Sequence, residues 1–514
     1  SAAVGGDVGA GEGAARSGAS ESTSGRDDKG EDGTVTTALR PASLRGILKR
    51  TWLAKHRNER PAVVVVIIDN LELDDDGAAR AALETSLEKL YGVAHNAGAA
   101  CCVVVAAPGP GLPDVLPEDK ASVIRRVLRV DNRAIITLNT AFSREAAWNK
   151  AARVAQELAV KHYEGECERM TTLAIDPHCP PALKTRYAFK AGAYAEFRQD
   201  WANAVRRYRV AYDALPEVRE DASMSAQDVI EALEVSEVLH VKLCVLLLHS
   251  GSPTEAVNQA EAHMRKWSRS PLKVLPKEAL PTFHEWCARQ YNVFGDLLKD
   301  RLPAPAPAGT PRTHLPAYYF HAAARCSIER RQAFDAMADS STSESTASAA
   351  SVELGSYVGQ MKRQGTDDER LSSEEYISYL RVKDSRDAIS RQTIELLTKA
   401  HEHYKLNSAG TAGGRSFAAL ISELANEYLH AGDYESAQKL FTTVAAVYRR
   451  EGWTELLFAV LMKLNQCTKA LRDDNEQLSI FLEMSAYAGD DHAPAAFGSP
   501  MAAMKQPRMD DKNH

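Results

Sequence analysis

The chain has no apolar run long enough to cross a bilayer. Runs such as Ala62–Ile68 and Val245–Leu248 fall far below the ~18 to 20 residues that a membrane-spanning helix needs. It has no surplus of positive charge either: a formal net charge of -7 argues against nucleic acid as a partner, because phosphate binding draws on clustered Lys and Arg. None of the eight cysteines stands in a CxxC pair, and no histidine lies at zinc-finger spacing from one, which excludes the common structural zinc sites. Cysteines set among apolar neighbours, such as Cys244 within Val241–Leu248, read instead as small buried hydrophobes of a reducing compartment. Residues Ser1–Gly25 are Gly, Ala and Ser with Asp7, Glu12 and Glu21 interspersed. They lack both the apolar core of a secretory signal and the acid-poor character of a transit peptide, so the expected location is cytoplasmic.

What remains is ordinary globular material, 44% hydrophobic and 25% charged. At 514 residues it exceeds the ~250 to 300 that a single core organises, so more than one unit is expected. Residues 1–40 are low in Leu, Ile and Phe, and ordering them would cost backbone entropy without burying a core, so they are expected to be disordered. The same expectation attaches to a Pro-rich insert near 302–312, a Ser/Thr/Ala insert near 338–352 and the tail 487–514.

Residues 41–140 read as a small α/β domain. Ala62–Ile68, Ala100–Ala106 and Ala134–Leu138 are short β-branched runs, apolar on both faces, as buried and mostly parallel strands are. Gly77–Asn96 and Glu118–Arg129 carry helical spacing and supply the crossovers that parallel strands require. From Phe142 onward helix-length amphipathic segments follow one another with no strand-like run, so residues 141–486 are expected to form an all-α solenoid.

Three segments of that region match a helical-hairpin repeat of the tetratricopeptide type. In Tyr187–Pro216, Gly192 takes the small position where two helices cross, Asp200-Trp201 the turn, and Ala204, Tyr208, Ala211 and Pro216 the packing ladder of the second helix. In Leu424–Phe441, Gly432-Asp433-Tyr434 makes the turn, with Ala437 and Phe441 in register with Ala204 and Tyr208. A weaker match runs from Leu243 through Gly251 and Ala256 to Ala260. Three hairpins with small residues at equivalent positions point to stacked repeats, each burying its apolar face on its neighbours.

The residues resemble a known family, the foie gras family found in subunit 11 of the trafficking protein particle (TRAPP) tethering complex. The similarity begins at Ser43–His56 and continues through Phe197–Trp201, Tyr208–Tyr212, Tyr291–Leu298, Pro316–Ala324, Glu427–Tyr434 and Tyr448–Trp453, in the family's order from about Ser43 to Met484. The resemblance implies a scaffold role in traffic from the endoplasmic reticulum to the Golgi. The implied partners are other TRAPP subunits and, indirectly, a Rab GTPase on which the small core subunits promote nucleotide exchange, together with vesicle or Golgi membranes. The chain departs from the family in its low-complexity insertions and in having no β-rich C-terminal half.

Each candidate chemical site has a plainer reading. Asp69, Asp74, Asp75 and Asp76 follow the first strand, where α/β folds place catalytic or metal-binding carboxylates, but they also suit a solvated loop leading into the helix near Gly77. The turn Ala106–Pro113 follows a strand, yet its prolines remove the N–H donors that cradle phosphate, and neither GxGxxG nor GxxxxGK[ST] is present. His284-Glu285-Trp286-Cys287 has part of a metalloprotease motif, but Ala288 stands where the second histidine belongs, so the segment is assigned to packing. Leu44–His56 places Leu44, Ile47, Leu48 and Trp52 on one helical face with Arg45, Lys49, Arg50 and Lys55 mainly elsewhere, a basic amphipathic helix expected to lie on the sheet or, alternatively, to meet an anionic membrane or partner. No catalytic residue, cofactor or metal ligand is assigned, and the expected function is a non-enzymatic scaffold. The alternatives are an enzyme or nucleotide-binding protein with chemistry around Asp69 and Gly109, and a tetratricopeptide adaptor for acidic peptide tails, which is disfavoured because Phe189 and Ala193 stand where such a clamp needs Lys and Asn.

Overall fold

The computed structural model describes residues 45–74, 77–107, 116–139, 144–215, 225–303, 305–307, 309–340, 352–366, 370–407 and 415–487. The expectations for residues 1–40, most of 338–352, the tail beyond 487, the turn from Pro108 to Pro113, and Asp75 and Asp76 fall outside these. The first described residues run extended into a single helical turn, α1 (Trp52–Ala54), which widens to a π-helical turn over Lys55–Glu59.

Three parallel strands follow, β1 (Val63–Asp69), β2 (Ala100–Ala107) and β3 (Ile135–Asn139), in the spatial order β1-β2-β3. After β1 comes a short helix, α2 (Asn70–Asp74), and the crossovers are α3 (Ala78–Ala97) and α4 (Glu118–Leu128), as the spacing predicts. Paired residues of parallel strands point to the same face. On one face Val66, Ile68, Val103 and Val105 pack on Leu87 of α3 and Ile124 and Leu128 of α4. On the other, Cys102, Val104, Ile136 and Leu138 pack on Ala151 of the long helix α5 (Arg144–Ile175). That helix centres on β2 and β3, so the expectation that every strand is buried on both faces fails at β1: Val65 and Ile67 are exposed.

From α5 the chain is helical. Helices α6 (Pro181–Phe197), α7 (Trp201–Asp213), α8 (Ala226–His249) and α9 (Pro253–Trp267) each pack on the one before. A short α10 (Ser270–Val274) leads to α11 (Leu280–Arg301), which packs on α8 and on α12 (Pro316–Ser340). Beyond α13 (Ser373–Lys383), α14 (Arg386–Asn407) packs on α12. Then α15 (Arg415–His430), α16 (Tyr434–Glu451), α17 (Thr454–Leu471) and α18 (Asp474–Tyr487) continue the stack pair by pair.

The turns follow from local chemistry. Asp200 caps α7 by accepting the Asn203 N–H at 3.1 Å, and Asp433 caps α16 by accepting the Ser436 N–H at 3.1 Å, which fixes both expected hairpin turns. Gly432 adopts φ 80, a backbone state that a side chain would strain. Ser225 and Asp228 form a reciprocal capping box at the start of α8.

At the first hairpin the residue that Gly192 meets is an aromatic one. A Cβ on Gly192 would lie 2.7 Å from the ring of Tyr208, one turn beyond Ala204, so the small residue accommodates an aromatic ring rather than another small residue. The same device recurs where Gly295 of α11 meets Phe320 of α12, at 2.8 Å from a built Cβ.

Three further features depart from the sequence reading. The helical region is interrupted by an antiparallel hairpin, β4 (Val352–Leu354) and β5 (Met361–Arg363), too short to give a period-2 signal. The Pro-rich insert is held against α14: Asn407 Oδ1 accepts the Ala306 N–H at 2.9 Å, and Arg312 donates to the Tyr404 hydroxyl at 3.1 Å. Of the expected amphipathic helix Leu44–His56 on the sheet, only the part from Trp52 onward is helical, and the described residues before it are not. Lys49 instead bridges Tyr357 beside the β4–β5 hairpin, and Ile47 and Leu48 are buried in the core of the helical array.

One buried polar cluster lies between α7, α8, α9 and α11. The rings of His240 and His263 stack with centroids 4.0 Å apart, the Tyr212 hydroxyl meets His263 Nδ1 at 2.9 Å, and Trp267 Nε1 donates to that hydroxyl at 3.0 Å. Burial pushes the His240 pKa down to about 3 and holds His263 well below its usual range, with the neighbouring His240 and Lys266 charges adding to the effect on His263. Both rings are therefore neutral in the folded protein at neutral pH, and stacking costs no charge repulsion.

Two predictions follow from this packing. Gly165, exposed within α5, has no atom within 4 Å of a built Cβ, so Gly165→Ala should stabilise by about 0.5 to 1 kcal/mol through helix propensity. Gly192→Ala gains the same propensity but forces its methyl into the Tyr208 ring, and overpacking at ~1 to 3 kcal/mol should make it net destabilising. Urea titrations of the two variants should therefore move in opposite directions; equal stabilisation would refute the close contact. The second concerns pH. The histidines' folded pKa values lie below the unfolded value of 6.5, so their contribution is complete above that pH and is lost as pH falls from there toward the folded values. Between neutral pH and pH ~5.5 the pair should remove roughly 2 kcal/mol of unfolding free energy, and His240→Leu should flatten that slope in denaturant titrations.

Candidate interaction site

Of the strand-end carboxylates, Asp69 is the one whose side chain lies among those described. Asp69 is exposed, and its Oδ1 accepts the Leu71 N–H at 3.0 Å, a local turn closure. Asn70 beside it takes a hydrogen bond from Lys120 at 3.0 Å. Asp74 ends α2, and among the described residues no group of three or more His, Cys, Asp or Glu side chains is placed to hold a metal ion. His284 pairs through Nδ1 with Glu329 at 3.3 Å, the indole of Trp286 donates to the Leu233 carbonyl at 3.2 Å, and Glu285 binds Lys383 at 2.6 Å. Those three side chains tie α11 to α12, α8 and α13, which is the packing role expected of them. All eight cysteines are free thiols, and six of them are buried.

What the tertiary structure does assemble is a chain of polar junctions inside the helical array. The first is centred on Glu231 of α8. Its carboxylate accepts the Ile47 N–H at 2.7 Å and the Gln360 side-chain amide at 2.9 Å, with Arg370 3.8 Å away. Burial pushes its pKa up, while those hydrogen bonds and the Arg370 charge hold it down. Arg186 of α6 donates to the Ile47 carbonyl at 2.9 Å, and Gln360 also donates to the Arg45 carbonyl at 2.7 Å. Backbone bonds from Val358 to Leu48 at 2.8 Å and from Arg50 to Ser356 at 2.9 Å complete the seam. Two glycines permit it: a Cβ on Gly46 would lie 2.5 Å from the Tyr357 ring, and one on Gly359, at φ +79, 2.5 Å from Glu231 Cα. The N-terminal segment is thereby clamped between α8 and the β4–β5 hairpin.

A second junction is Glu196 of α6, which accepts from the Tyr208 hydroxyl and from Lys242 of α8, both at 2.8 Å, with Arg57 of the π-helical turn at 3.4 Å. Burial, together with the Glu196 charge and hydrogen bond, pushes the Tyr208 pKa well up. Arg289 of α11 forks onto Glu237 of α8, with Gln290 donating to the same carboxylate at 2.7 Å. Further along, Arg330 of α12 binds Asp384 at 2.6 Å and Arg331 binds Glu427 of α15 at 2.8 Å, all four side chains being almost wholly buried. Such pairs cost desolvation comparable to their attraction, so their role is to fix which helices meet and in which register.

The sequence reading did not single out Glu231, Gln360, Arg186 or the arginines of α12. A signal existed for Glu231: the stretch Val229–Leu248 is apolar around most of the helix, so carboxylates within it must find partners inside the fold. Nothing local in the sequence marks Gln360 or Arg186, whose partners lie more than a hundred residues away.

Comparisons with known proteins point to one family. The family described as foie gras liver health family 1 matches residues 228–487, from the capping box of α8 to the last residue of α18. Proteins named trafficking protein particle complex subunit 11 are 24% identical over 457 residues in Bos taurus, 25% in Gallus gallus and 24% in Homo sapiens, each alignment covering 86% of this chain. The chain spans 39% of the length of those relatives. With the family's characteristic region occupying half of its length, on the helical array just described, the chain belongs to the foie gras family.

Proposed function

We propose that this chain is a scaffold subunit of a trafficking protein particle complex, acting by holding other subunits together rather than by chemistry of its own. The observation that carries the reading is the continuous stack of helices α5–α18, matched by the family model over 228–487 and built around internally paired charges. A stack of this kind is quasi-one-dimensional: each pair buries its apolar face on its neighbours and leaves two long surfaces for partners. The similarity to relatives named as subunits of that complex supports the assembly, and in this reading the chain serves traffic between endoplasmic reticulum and Golgi. In this reading residues 41–140 form an α/β domain and 141–486 the docking array. A Rab GTPase is reached through the core subunits, and membranes are met peripherally. No helix among the described residues is long and apolar enough to cross a membrane.

The competing enzyme reading places chemistry at the carboxyl end of β1. Asp74→Asn, Asp75→Asn and Asp76→Asn together should leave co-purification of the complex's small subunits, and nucleotide exchange on the Rab by the reconstituted complex, essentially unchanged. Removal of residues 386–487 should abolish co-purification. Normal assembly with exchange reduced by orders of magnitude in the triple variant would make those carboxylates chemical participants and end the scaffold reading of the α/β part.

A further inference from the structure

Two of the eight free thiols face each other. Helices α11 and α12 run antiparallel, and across their seam His284 Nδ1 meets Glu329 at 3.3 Å while the rings of Phe294 and Tyr319 lie with centroids 4.7 Å apart. One turn inward from the His284–Glu329 contact, three residues on along α11 and three back along α12, stand Cys287 and Cys326. Their side chains share a hydrogen bond. Further along the same seam a Cβ built on Gly295 would lie 2.8 Å from the Phe320 ring, so the two helices approach closely there. The other thiols are placed differently. Cys101 and Cys102 are successive residues of β2 and point to opposite faces of the sheet. Cys167 lies 3.9 Å from the Asn203 side-chain amide, and Cys244 lies 3.6 Å from a ring nitrogen of His240.

The facing pair differs in access. Cys287 is buried, whereas Cys326 is half-buried, beside exposed Arg325 and one turn before exposed Glu329. The hydrogen bond with Cys326, burial and the neighbouring Cys326 and Glu329 charges push the Cys287 thiol well up, so it keeps its proton. A small oxidant from solvent therefore meets Cys326 first, with Cys287 in contact behind it as the resolving sulfur. The place matters as well. Helix α11 gives Phe283, Trp286 and Cys287 to the core it shares with α5–α9, and α12 gives Phe320, Ala323 and Ala324 to the core it shares with α14 and α15. The thiols thus lie where one core hands over to the next.

We propose that Cys287 and Cys326 form a reversible disulfide site, oxidised by a peroxide and reduced by a dithiol, that pins α11 to α12 where the two cores join. The Cys326 sulfur, its proton passing to solvent, attacks one peroxide oxygen. The O–O bond breaks, the leaving hydroxide takes up a proton as water, and a sulfenic acid remains on Cys326. The Cys287 sulfur then attacks that sulfur: the S–S bond forms, the S–O bond breaks, and the departing hydroxide takes the Cys287 proton as a second water. Two thiols lose two electrons and one peroxide becomes two waters. A dithiol returns the electrons by two exchange steps and leaves as its own disulfide. In a reducing compartment the pair rests as thiols. Once formed, the bond closes a loop of roughly 40 residues that contains the Pro-rich insert, and a cross-link of that span restricts the unfolded chain.

The test treats the reduced, folded 514-residue chain with hydrogen peroxide, counts free thiols, maps cross-linked peptides without reduction and follows urea unfolding. The eight thiols should fall by two, with a Cys287–Cys326 linked peptide from a chain that remains single on a non-reducing gel. Dithiothreitol should restore all eight. The urea midpoint should rise on oxidation and return on reduction. Cys326→Ser and Cys287→Ala, each checked for folding by a circular dichroism melt, should lose both the linked peptide and the peroxide-dependent rise. In Cys287→Ala, Cys326 should instead be trapped by dimedone as its sulfenic acid. Thiols that all survive peroxide, a linked peptide joining another pair or two chains, or a midpoint that moves equally in parent and variants would overturn the proposal. So would a Cys287–Cys326 bond that forms only in the urea-unfolded chain, because the pairing would then owe nothing to the seam.

Discussion

A ring lying where a Cβ would otherwise stand is the contact from which the helical array is built. Gly192 leaves the space that Tyr208 fills, and Gly295 the space that Phe320 fills. Each lets two helices approach closely while burying a large aromatic side chain, which is where most of the apolar area in such a hairpin comes from. Because the helices are close, the next one in the chain finds a continuous apolar face to lie on. The result is a series of cores, one shared by α5–α9 and α11, another by α12, α14 and α15, a third by α15–α18. No single core binds the chain together, so stability is passed from neighbour to neighbour.

That serial design leaves register to be settled separately, because apolar faces slide past one another at small cost. The buried Arg330–Asp384 and Arg331–Glu427 pairs and the Glu231 junction settle it by penalty: a shifted helix would strand an uncompensated charge. The same logic returns the N-terminal segment to the array. Ile47 finds its N–H partner on a carboxylate 184 residues away, and two glycines make room for the crossing. The connection between the α/β part and the array is thus tertiary as well as covalent.

For function, the arrangement separates two kinds of surface. Polar groups inside the array are largely spent on one another, so the surfaces left to solvent are the outer helix faces and the Val65 and Ile67 side chains of β1. A subunit that assembles others needs long, stiff surfaces more than a reactive cleft, and stacked hairpins supply them without requiring a large single core. Asp69, at the end of β1, closes a local turn by accepting the Leu71 N–H.

Element type was legible in the sequence because it is a local property. Seven β-branched or apolar residues in a row have no helical periodicity and make a strand, while Asp200 and Asp433 each announce a helix start by capping it. The hairpin turns, the parallel order of three strands with helical crossovers and the buried free cysteines followed from the same rules. The family resemblance rested on colinear motifs that the helical array then carried. What the sequence could not decide was every feature whose partner lies far along the chain. Leu44–His56 has a helical pattern of apolar residues, yet helix begins only at Trp52, because Glu231, Arg186 and the β4–β5 hairpin satisfy the backbone groups of residues 45–50 in a non-helical path. Three-residue strands give no period to detect, and a proline-rich stretch is ordered only by what it touches, here Asn407 and Tyr404. Exposure of Val65 and Ile67 depends on how far α5 extends over the sheet, a matter of packing geometry that no local pattern encodes.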